Sequence, residues 1–212
     1  VQKLGHLKKN YNMATAVGPD IVEEGLVLSL DAGSTRSYPG TGTTWYDLSG
    51  NNFDFTIDGS GFSYNTGGWF DMADGGITHT GTITSSTLCT IVYWIKTTDG
   101  QSLFLSGPGT SGNYLGAYNS GNKFYNSGAM GTPVLYMNAV ATANLSDFVR
   151  TGEWIMVEFK NVNLSSFTNT HFNQYTGYTF GNGDLAIIQI YNRSITQAES
   201  EQNYNAQKNR FA

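Results

Sequence analysis

Apolar and polar residues alternate along this chain in short runs, which is the pattern of β-strands. At residues 25–32, Leu26, Leu28 and Leu30 fall on one face of a predicted strand. Residues 87–97 are mostly apolar on both faces, which predicts a strand buried on both sides of its sheet. The pattern therefore indicates a sheet protein with at least one central strand.

Further strand-length runs follow at short intervals, separated by turns rich in Gly and Asn. They lie at residues 53–57, 68–72, 103–105, 114–118, 123–126, 134–137, 154–160 and 185–191. In residues 154–160, the alternation predicts that Phe159 points inward and Glu158 outward. Residues 161–182 show no clear period and allow either a strand pair or a long surface loop. Many short strands with turn signals between them favour a β-sandwich.

A helix is predicted only near the end of the chain, at residues 196–209. Thr196 and Glu199 have the T-x-x-E spacing of a capping box, and Lys208 and Arg210 suit the negative end of the helix dipole. The helix is only weakly amphipathic. Its expected contacts with the rest of the protein are Ile195, Ala198, Tyr204 and Phe211.

The composition agrees with strands joined by many turns. The 212 residues include 26 Gly, 13 Tyr and 12 Phe, and only 13% of them are charged. No run approaches the roughly 20 apolar residues of a membrane helix, so we expect no membrane insertion. No apolar stretch of about 7–15 residues marks a signal peptide near residue 1. The single cysteine, Cys89, lies in an apolar segment and is expected to be a small buried residue.

The net charge of −5 is distributed unevenly. Residues 1–19 contain Lys3, Lys8 and Lys9 and no acid, whereas residues 20–212 hold the other 8 basic residues and all 16 acids. We therefore expect a basic N-terminal arm (1–19) followed by one domain (20–212). The arm is either a solvated tail or a segment that docks on an acidic neighbour, and three lysines are too few to indicate nucleic acid.

Two segments resemble a known family. Residues 25–52 read GLVLSLDAGSTRSYPGTGTTWYDLSGNN, and residues 183–211 read GDLAIIQIYNRSITQAESEQNYNAQKNRF. They resemble the opening and closing blocks of laminin G-like domains of the concanavalin A-like superfamily, in particular those of tailed-bacteriophage structural proteins. The resemblance implies an all-β jelly-roll sandwich of two antiparallel sheets with one short C-terminal helix. By the same resemblance, Met13 looks like a natural start, so residues 1–12 are expected to be an upstream extension or a processed remnant.

Some members of this superfamily cleave glycans, but the residues for that chemistry are missing here. Retaining glucanases carry their acids as E-x-D-x-E on one face of a strand, and this chain has no such motif. The odd separation of Glu153 and Glu158 places them on opposite faces of a strand. The histidines, His6, His79 and His171, are scattered, and no Gly-x-Ser-x-Gly elbow is present. We therefore expect a protein without enzymatic activity.

Relatives of this kind often bind sugars, sometimes through Ca²⁺. The best calcium candidates are Asp47 and Asn51, for which a role in shaping the turn is the favoured alternative. Tyrosines among Gly and Asn offer a stacking face and a polar tip, so they suit either sugar binding or subunit contacts. The tyrosines in this setting are Tyr114, Tyr118, Tyr125, Tyr175 and Tyr178.

The leading hypothesis is a phage virion protein, either a capsid decoration or a tail or fibre accessory, that displays a lectin-like domain. Its partners would be major capsid or tail subunits, and it would be present as a homo-oligomer or in many copies, without a cofactor unless Ca²⁺ is bound. The alternative is a carbohydrate-binding module that attaches to glycans of the host surface. A glycan hydrolase is a much weaker third interpretation.

Overall fold

The computed structural model describes most of the chain, with side chains inside some strands left out. The described residues are 20–58, 61–73, 75–97, 102–107, 113–117, 124–126, 128–145, 148, 151–175, 178–179 and 183–212. The predicted basic arm, with Lys3, Lys8 and Lys9, lies outside these residues, and so does Tyr118.

The described residues form seventeen strands and one α-helix. The strands are β1 (Leu26–Asp31), β2 (Thr44–Trp45), β3 (Phe55–Asp58), β4 (Ser63–Asn65), β5 (Trp69–Asp71), β6 (Gly76–Thr80), β7 (Cys89–Lys96), β8 (Ser102–Ser106), β9 (Tyr114–Ala117), β10 (Phe124–Asn126), β11 (Gly131–Met137), β12 (Val140–Ala141), β13 (Trp154–Val162), β14 (Asn169–Phe172), β15 (Gln174–Tyr175), β16 (Tyr178–Thr179) and β17 (Asp184–Tyr191). The helix α1 is Gln197–Gln207, and 3-10 turns occur at Gly128–Met130 and Lys208–Arg210. The all-β prediction with one short C-terminal helix is confirmed.

Two antiparallel sheets make up the sandwich. The first has eight strands in the order β12-β11-β13-β7-β17-β5-β4, with β1 also paired to β17. The second has seven strands in the order β10-β9-β8-β14-β6-β3-β2, and β15 and β16 form a separate hairpin. Because β1 pairs with β17 from Leu26↔Tyr191 to Asp31↔Ile187, the segments 25–52 and 183–211 are joined by one strand pair.

The main core lies between the two sheets. On β7, Cys89, Ile91, Tyr93 and Ile95 belong to this core, whereas Val92 and Trp94 belong to a second cluster on the outer face of the same strand. Each Å² of apolar surface that is buried on either face stabilises the folded state by about 25 cal/mol. The prediction that residues 87–97 form a strand buried on both sides is thus confirmed, except for Leu88, which is exposed.

The second cluster is covered by the C-terminal segment. Trp94 stacks on Phe211 with ring centroids 4.3 Å apart, and its Nε1 donates a hydrogen bond to Gln207 Oε1 at 2.7 Å. The predicted contacts Ile195, Tyr204 and Phe211 all belong to or pack on this cluster. The predicted contact Ala198 is wrong, because Ala198 is exposed.

The two buried residues of α1, Ser200 and Asn203, are both polar. Asn203 is fully buried, donates to Tyr191 Oη at 3.1 Å and accepts from the Val22 backbone N–H at 2.8 Å. Buried polar groups are tolerated when they are hydrogen-bonded in this way. This explains why a helix with little amphipathic character still docks in one position.

The helix begins as the sequence predicts. Thr196 is the N-cap: its Oγ1 accepts from the Glu199 backbone N–H, and the Glu199 carboxylate accepts from the Thr196 N–H at 2.7 Å. The Glu199 carboxylate also forms a two-pronged ion pair with Arg193, with a shortest N–O distance of 2.6 Å. This hydrogen-bonded ion pair lowers the pKa of Glu199 to about 2.

The helix among the described residues is too short to cross a membrane.

Candidate functional site

A continuous line of polar side chains crosses five neighbouring strands of the seven-stranded sheet. Thr56 on β3 pairs with Thr78 on β6, and Thr78 pairs with His171 on β14. His171 then pairs with Ser106 on β8, and Ser106 pairs with Tyr114 on β9. Directly paired residues point to the same face of a sheet. We call these five residues the polar row; at about 4.8 Å between strands it spans about 19 Å.

The polar row lies on the outer face of the sandwich. The neighbouring positions along the same strands, Ile77, Leu105, Leu115 and Phe172, are buried in the core between the sheets. Since successive side chains alternate between faces, the polar row points away from that core. Thr56 is exposed, Thr78, His171 and Tyr114 are partly exposed, and Ser106 is buried.

Four of the five predicted tyrosines lie on strands close to this face. Tyr114 is itself part of the polar row. Tyr125 lies on β10, which pairs with β9, while Tyr175 and Tyr178 form the paired positions of the β15–β16 hairpin, and β15 packs against β8. The side chains of Tyr125, Tyr175 and Tyr178 are not described, so their role in ligand or subunit contacts stays a prediction.

The chemistry of the polar row is that of hydrogen bonding without strong charge. Hydroxyl groups donate and accept, and a neutral imidazole does one at each nitrogen. Within the described part of this face, Asp58 at the end of β3 is a carboxylate on the same side as Thr56. A retaining glycosidase needs two carboxyl groups about 5–5.5 Å apart. The hydroxyl and imidazole groups of the polar row can donate and accept hydrogen bonds to a polar ligand.

The other acids that the sequence offered for catalysis are placed elsewhere. Glu158 points outward from β13, as predicted, but it is covered by α1 and has no exposed surface. Its Oε1 accepts from Ser200 Oγ at 2.9 Å, and burial raises the pKa of Glu158 to about 7 despite the nearby Lys160 ammonium. Glu153 is exposed at the edge of the same strand. A substrate that reaches Glu153 has no access to Glu158.

Two further residues that could act as a nucleophile or a base, Cys89 and His79, pack against neighbouring side chains of the fold. Cys89 is buried in the core, and burial raises the pKa of its thiol to about 11, so the thiolate needed for reactivity is scarce at neutral pH. His79 packs against Phe53 and Phe55, and its Nδ1 lies 2.8 Å from the Asp54 carbonyl oxygen. His6 lies outside the described residues.

Asp47, the predicted calcium ligand, is surrounded by hydrogen-bond donors. Its Oδ1 accepts from the backbone N–H groups of Ser29 and Ser49 at 2.9 and 2.8 Å. Its Oδ2 accepts from Ser49 Oγ at 2.7 Å and from the Phe53 N–H at 3.1 Å. These bonds tie the loop to β1 and are those expected of a turn-shaping carboxylate.

Asn51 serves the same loop. Its Nδ2 donates to the Val27 carbonyl at 3.0 Å and to Ser49 Oγ at 3.0 Å. Among the described residues, no group of three or more His, Cys, Asp or Glu is placed to hold a metal ion. Calcium at Asp47 and Asn51 stays a prediction, and it would have to displace the donors that now occupy the Asp47 oxygens.

Apart from the polar row, a cleft of about 320 Å³ opens at one end of the eight-stranded sheet. Asp184 on β17 pairs in register with both Asp71 and Lys96, and its carboxylate lies 3.9 Å from Lys96 Nζ. Burial, with a contribution from Asp71, raises the pKa of Asp184 against the opposing effect of Lys96. The cleft thus contains two acids, Asp71 and Asp184, and one ammonium group, that of Lys96. It lies on the eight-stranded sheet, whereas the polar row lies on the other sheet.

Sequence reasoning identified Tyr114 but missed the rest of the polar row. Thr56, Thr78, Ser106 and His171 come from four separated segments, and only strand register brings them together. The available signal was the position of Thr56 between Phe55 and Ile57, and of Thr78 directly after Ile77.

Comparison with known proteins supports the fold. No family model and no curated protein matches the sequence. Among solved structures, Trypanosoma rangeli sialidase in complex with the inhibitor DANA matches with a TM-score of 0.56 and 12% identity, over 93% of this chain and 36% of the sialidase. The binding domain of botulinum neurotoxin serotype D matches with a TM-score of 0.54 and 13% identity, over 88% of this chain and 53% of that domain.

A related toxin structure, the binding domain of botulinum neurotoxin DC in complex with rat synaptotagmin II, has a TM-score of 0.53 and 13% identity, over 87% of this chain and 52% of that one. The chain thus spans about a third of the sialidase and about half of the toxin binding domains. At these identities the likeness establishes a shared β-sandwich fold.

Proposed function

We propose that this chain is a non-enzymatic carbohydrate-binding module whose ligand lies along the polar row. The observation that carries this proposal is the strand register that aligns hydroxyl, imidazole and phenol groups from Thr56 to Tyr114 on one outer face. All of them except the buried Ser106 are at least partly exposed. Sugar hydroxyls both donate and accept hydrogen bonds, so they match side chains that do the same. The Tyr114 ring adds an apolar surface on which a sugar ring can stack.

The structural neighbours are compatible with this proposal. One of them is a sialidase in complex with sialic acid, and another is the binding domain of a botulinum neurotoxin. Both share the sandwich with this chain, and the ligand assignment here depends on the polar row rather than on that likeness.

The test is a glycan array followed by titration calorimetry with the best ligand, with and without a chelator. Thr56→Val is the probe variant because Thr56 is exposed and Val keeps the shape of the side chain. Loss of one neutral hydrogen bond should weaken binding about two- to tenfold. The matched control is Thr132→Val, an exposed threonine on β11 of the other sheet. Equal affinities of Thr56→Val and wild type, or no glycan bound at all, would refute the proposal.

We further propose that the module belongs to a tailed-bacteriophage particle, as a capsid decoration or a tail or fibre accessory. The support is the resemblance of residues 25–52 and 183–211 to phage proteins, together with the pairing of β1 with β17 that joins these two segments. Its partners would be capsid or tail subunits, with many copies in each particle. Mass spectrometry of purified virions tests the virion proposal. Absence of the protein from the virions would refute that proposal but would leave the glycan proposal unaffected.

The proposal of no enzymatic activity is tested separately. The support is that Glu158 is fully buried, which keeps a glycan from reaching its carboxyl group. Incubation with glycans from the array should release no product. If hydrolysis is seen and Glu153→Gln abolishes it, the protein is an enzyme.

A further inference from the structure

A cleft of about 360 Å³ lies between α1 and the outer face of β1, on the side of the molecule opposite the polar row. Its walls come from residues 20–23, from β1 and from the C-terminal turn of α1. Asp20, Glu23 and Asp31 line it, and Asp31 is paired with Arg210. Among the described residues, no salt bridge neutralises Asp20 or Glu23. The cleft therefore carries uncompensated negative charge.

Two further features increase its preference for a cation. Ala206 and Gln207, at the C-terminal end of α1, line the cleft, and this end of a helix carries partial negative charge. Gln189 also lines the cleft and is only 2% exposed, yet its Oε1 accepts no hydrogen bond from the described residues. A buried acceptor without a donor destabilises the folded state. A ligand that supplies a donor would remove this penalty.

The shape and lining distinguish between kinds of cation. A calcium ion needs six to eight converging oxygens, and the described acids form no group that could hold a metal. Leu26, Leu48 and Ala206 supply apolar surface between the acids. A lysine side chain fits this mixture, because its methylene stem packs on apolar surface while the ammonium reaches acceptors.

We propose that this cleft binds a lysine ammonium supplied by residues 1–19 of the same chain. These residues contain three lysines and no acid, and they join the domain at Asp20, which itself lines the cleft. The eleven residues from Lys9 to Asp20 can extend over about 36 Å, more than enough to turn back into the cleft. Tethering gives the lysines an effective concentration in the millimolar range, so a weak site suffices.

The first test follows the side-chain amide of Gln189 by NMR in the 212-residue chain. Replacing Lys3, Lys8 and Lys9 by Gln should shift this resonance, because the ammonium donor is removed. Asp20→Asn with Glu23→Gln should shift it in the same direction, because the attraction is lost. The matched control, Lys96→Gln with Lys208→Gln, removes positive charge from residues that do not line this cleft and should leave the resonance in place.

The second test identifies the occupant. Carbodiimide joins ammonium and carboxylate groups in contact, so a mixture of unlabelled and ¹⁵N-labelled protein is cross-linked and digested. The proposal is supported if Lys3, Lys8 or Lys9 is linked to Glu23 and both linked peptides carry the same isotope, as a link within one chain requires. These links should be lost in about 1 M NaCl, where the screening length falls to about 3 Å. Mixed-isotope links would show a second copy as the occupant and overturn it. An unmoved Gln189 amide in the lysine variant would also overturn it.

Discussion

Glu158 should make the folded protein less stable as the pH rises from 5 to 8. Its carboxyl group is buried under α1, where only Oε1 has a hydrogen-bond partner among the described residues, and burial raises its pKa from 4.5 to about 7. Lys160, two residues further along β13, donates to the Thr196 carbonyl at 3.2 Å and only partly offsets that burial. The folded chain therefore holds the Glu158 proton more tightly than the unfolded chain does.

The magnitude follows from the two pKa values. Below about pH 4.5 the group is protonated in both states and costs nothing, and above about pH 7 it is ionised in both and the full penalty applies. The difference of about 2.5 pH units, at about 1.4 kcal/mol per unit, gives a full penalty of about 3.5 kcal/mol, of which about 2.5 kcal/mol develops between pH 5 and 8. This is a large fraction of the roughly 5–15 kcal/mol that stabilises a typical domain.

Urea denaturation at a series of pH values measures this effect. In Glu158→Gln the fall in unfolding free energy between pH 5 and 8 should shrink by about 2.5 kcal/mol, because Gln can accept from Ser200 but does not titrate. The control is Glu153→Gln, an exposed glutamate on the adjoining loop, which should keep the wild-type slope. If Glu158→Gln also keeps that slope, the buried carboxyl is not the source, and the account of the polar contacts under α1 is wrong.

Three further predictions concern the ends of elements. Thr196→Ala removes the side-chain half of the capping box and should lower the unfolding free energy by about 1 kcal/mol in urea titrations; an unchanged midpoint would contradict this. The pKa of Glu199 is about 2, lowered by Arg193, so stability from this pair should be lost as the pH falls from about 4.5 to 2. Acid titration followed by circular dichroism should show that loss in wild type and not in Glu199→Gln. Gly68 has φ of +94°, and a Cβ there would lie 2.7 Å from Gly33 Cα. Gly68→Ala should therefore cost at least about 1–3 kcal/mol, and a melting temperature equal to that of wild type would refute this.

The sandwich was predictable because its central strands carry a strong local signal. β1, β7 and β17 show alternating or continuous apolar runs, and each lies where the sequence predicts it. β6 was missed, since its sequence GITHT contains a single aliphatic residue facing the core. β14, in the segment left open between a strand pair and a loop, is likewise rich in Asn, Thr and His.

The candidate site was less predictable, because it depends on which strands become neighbours. The site is formed by the adjacent strands β3, β6, β14, β8 and β9. Only β8 and β9 among them are consecutive in the sequence, and no local pattern encodes the rest of that order. The same limit applies to Glu158. Alternation correctly directs its side chain outward from the sandwich, but only the docking of α1 through Ser200 determines that this outer position is buried.

The covering of one sheet by the C-terminal segment gives the molecule a front and a back. Residues 20–23 and α1 both lie against the outer face of the eight-stranded sheet, whereas the polar row lies on the outer face of the other sheet. A support attached at either end of the described residues would therefore lie behind the eight-stranded sheet. The polar row on the other sheet would then point away from that support. Copies arranged on a common surface would present parallel rows, and weak individual contacts would add up to strong attachment.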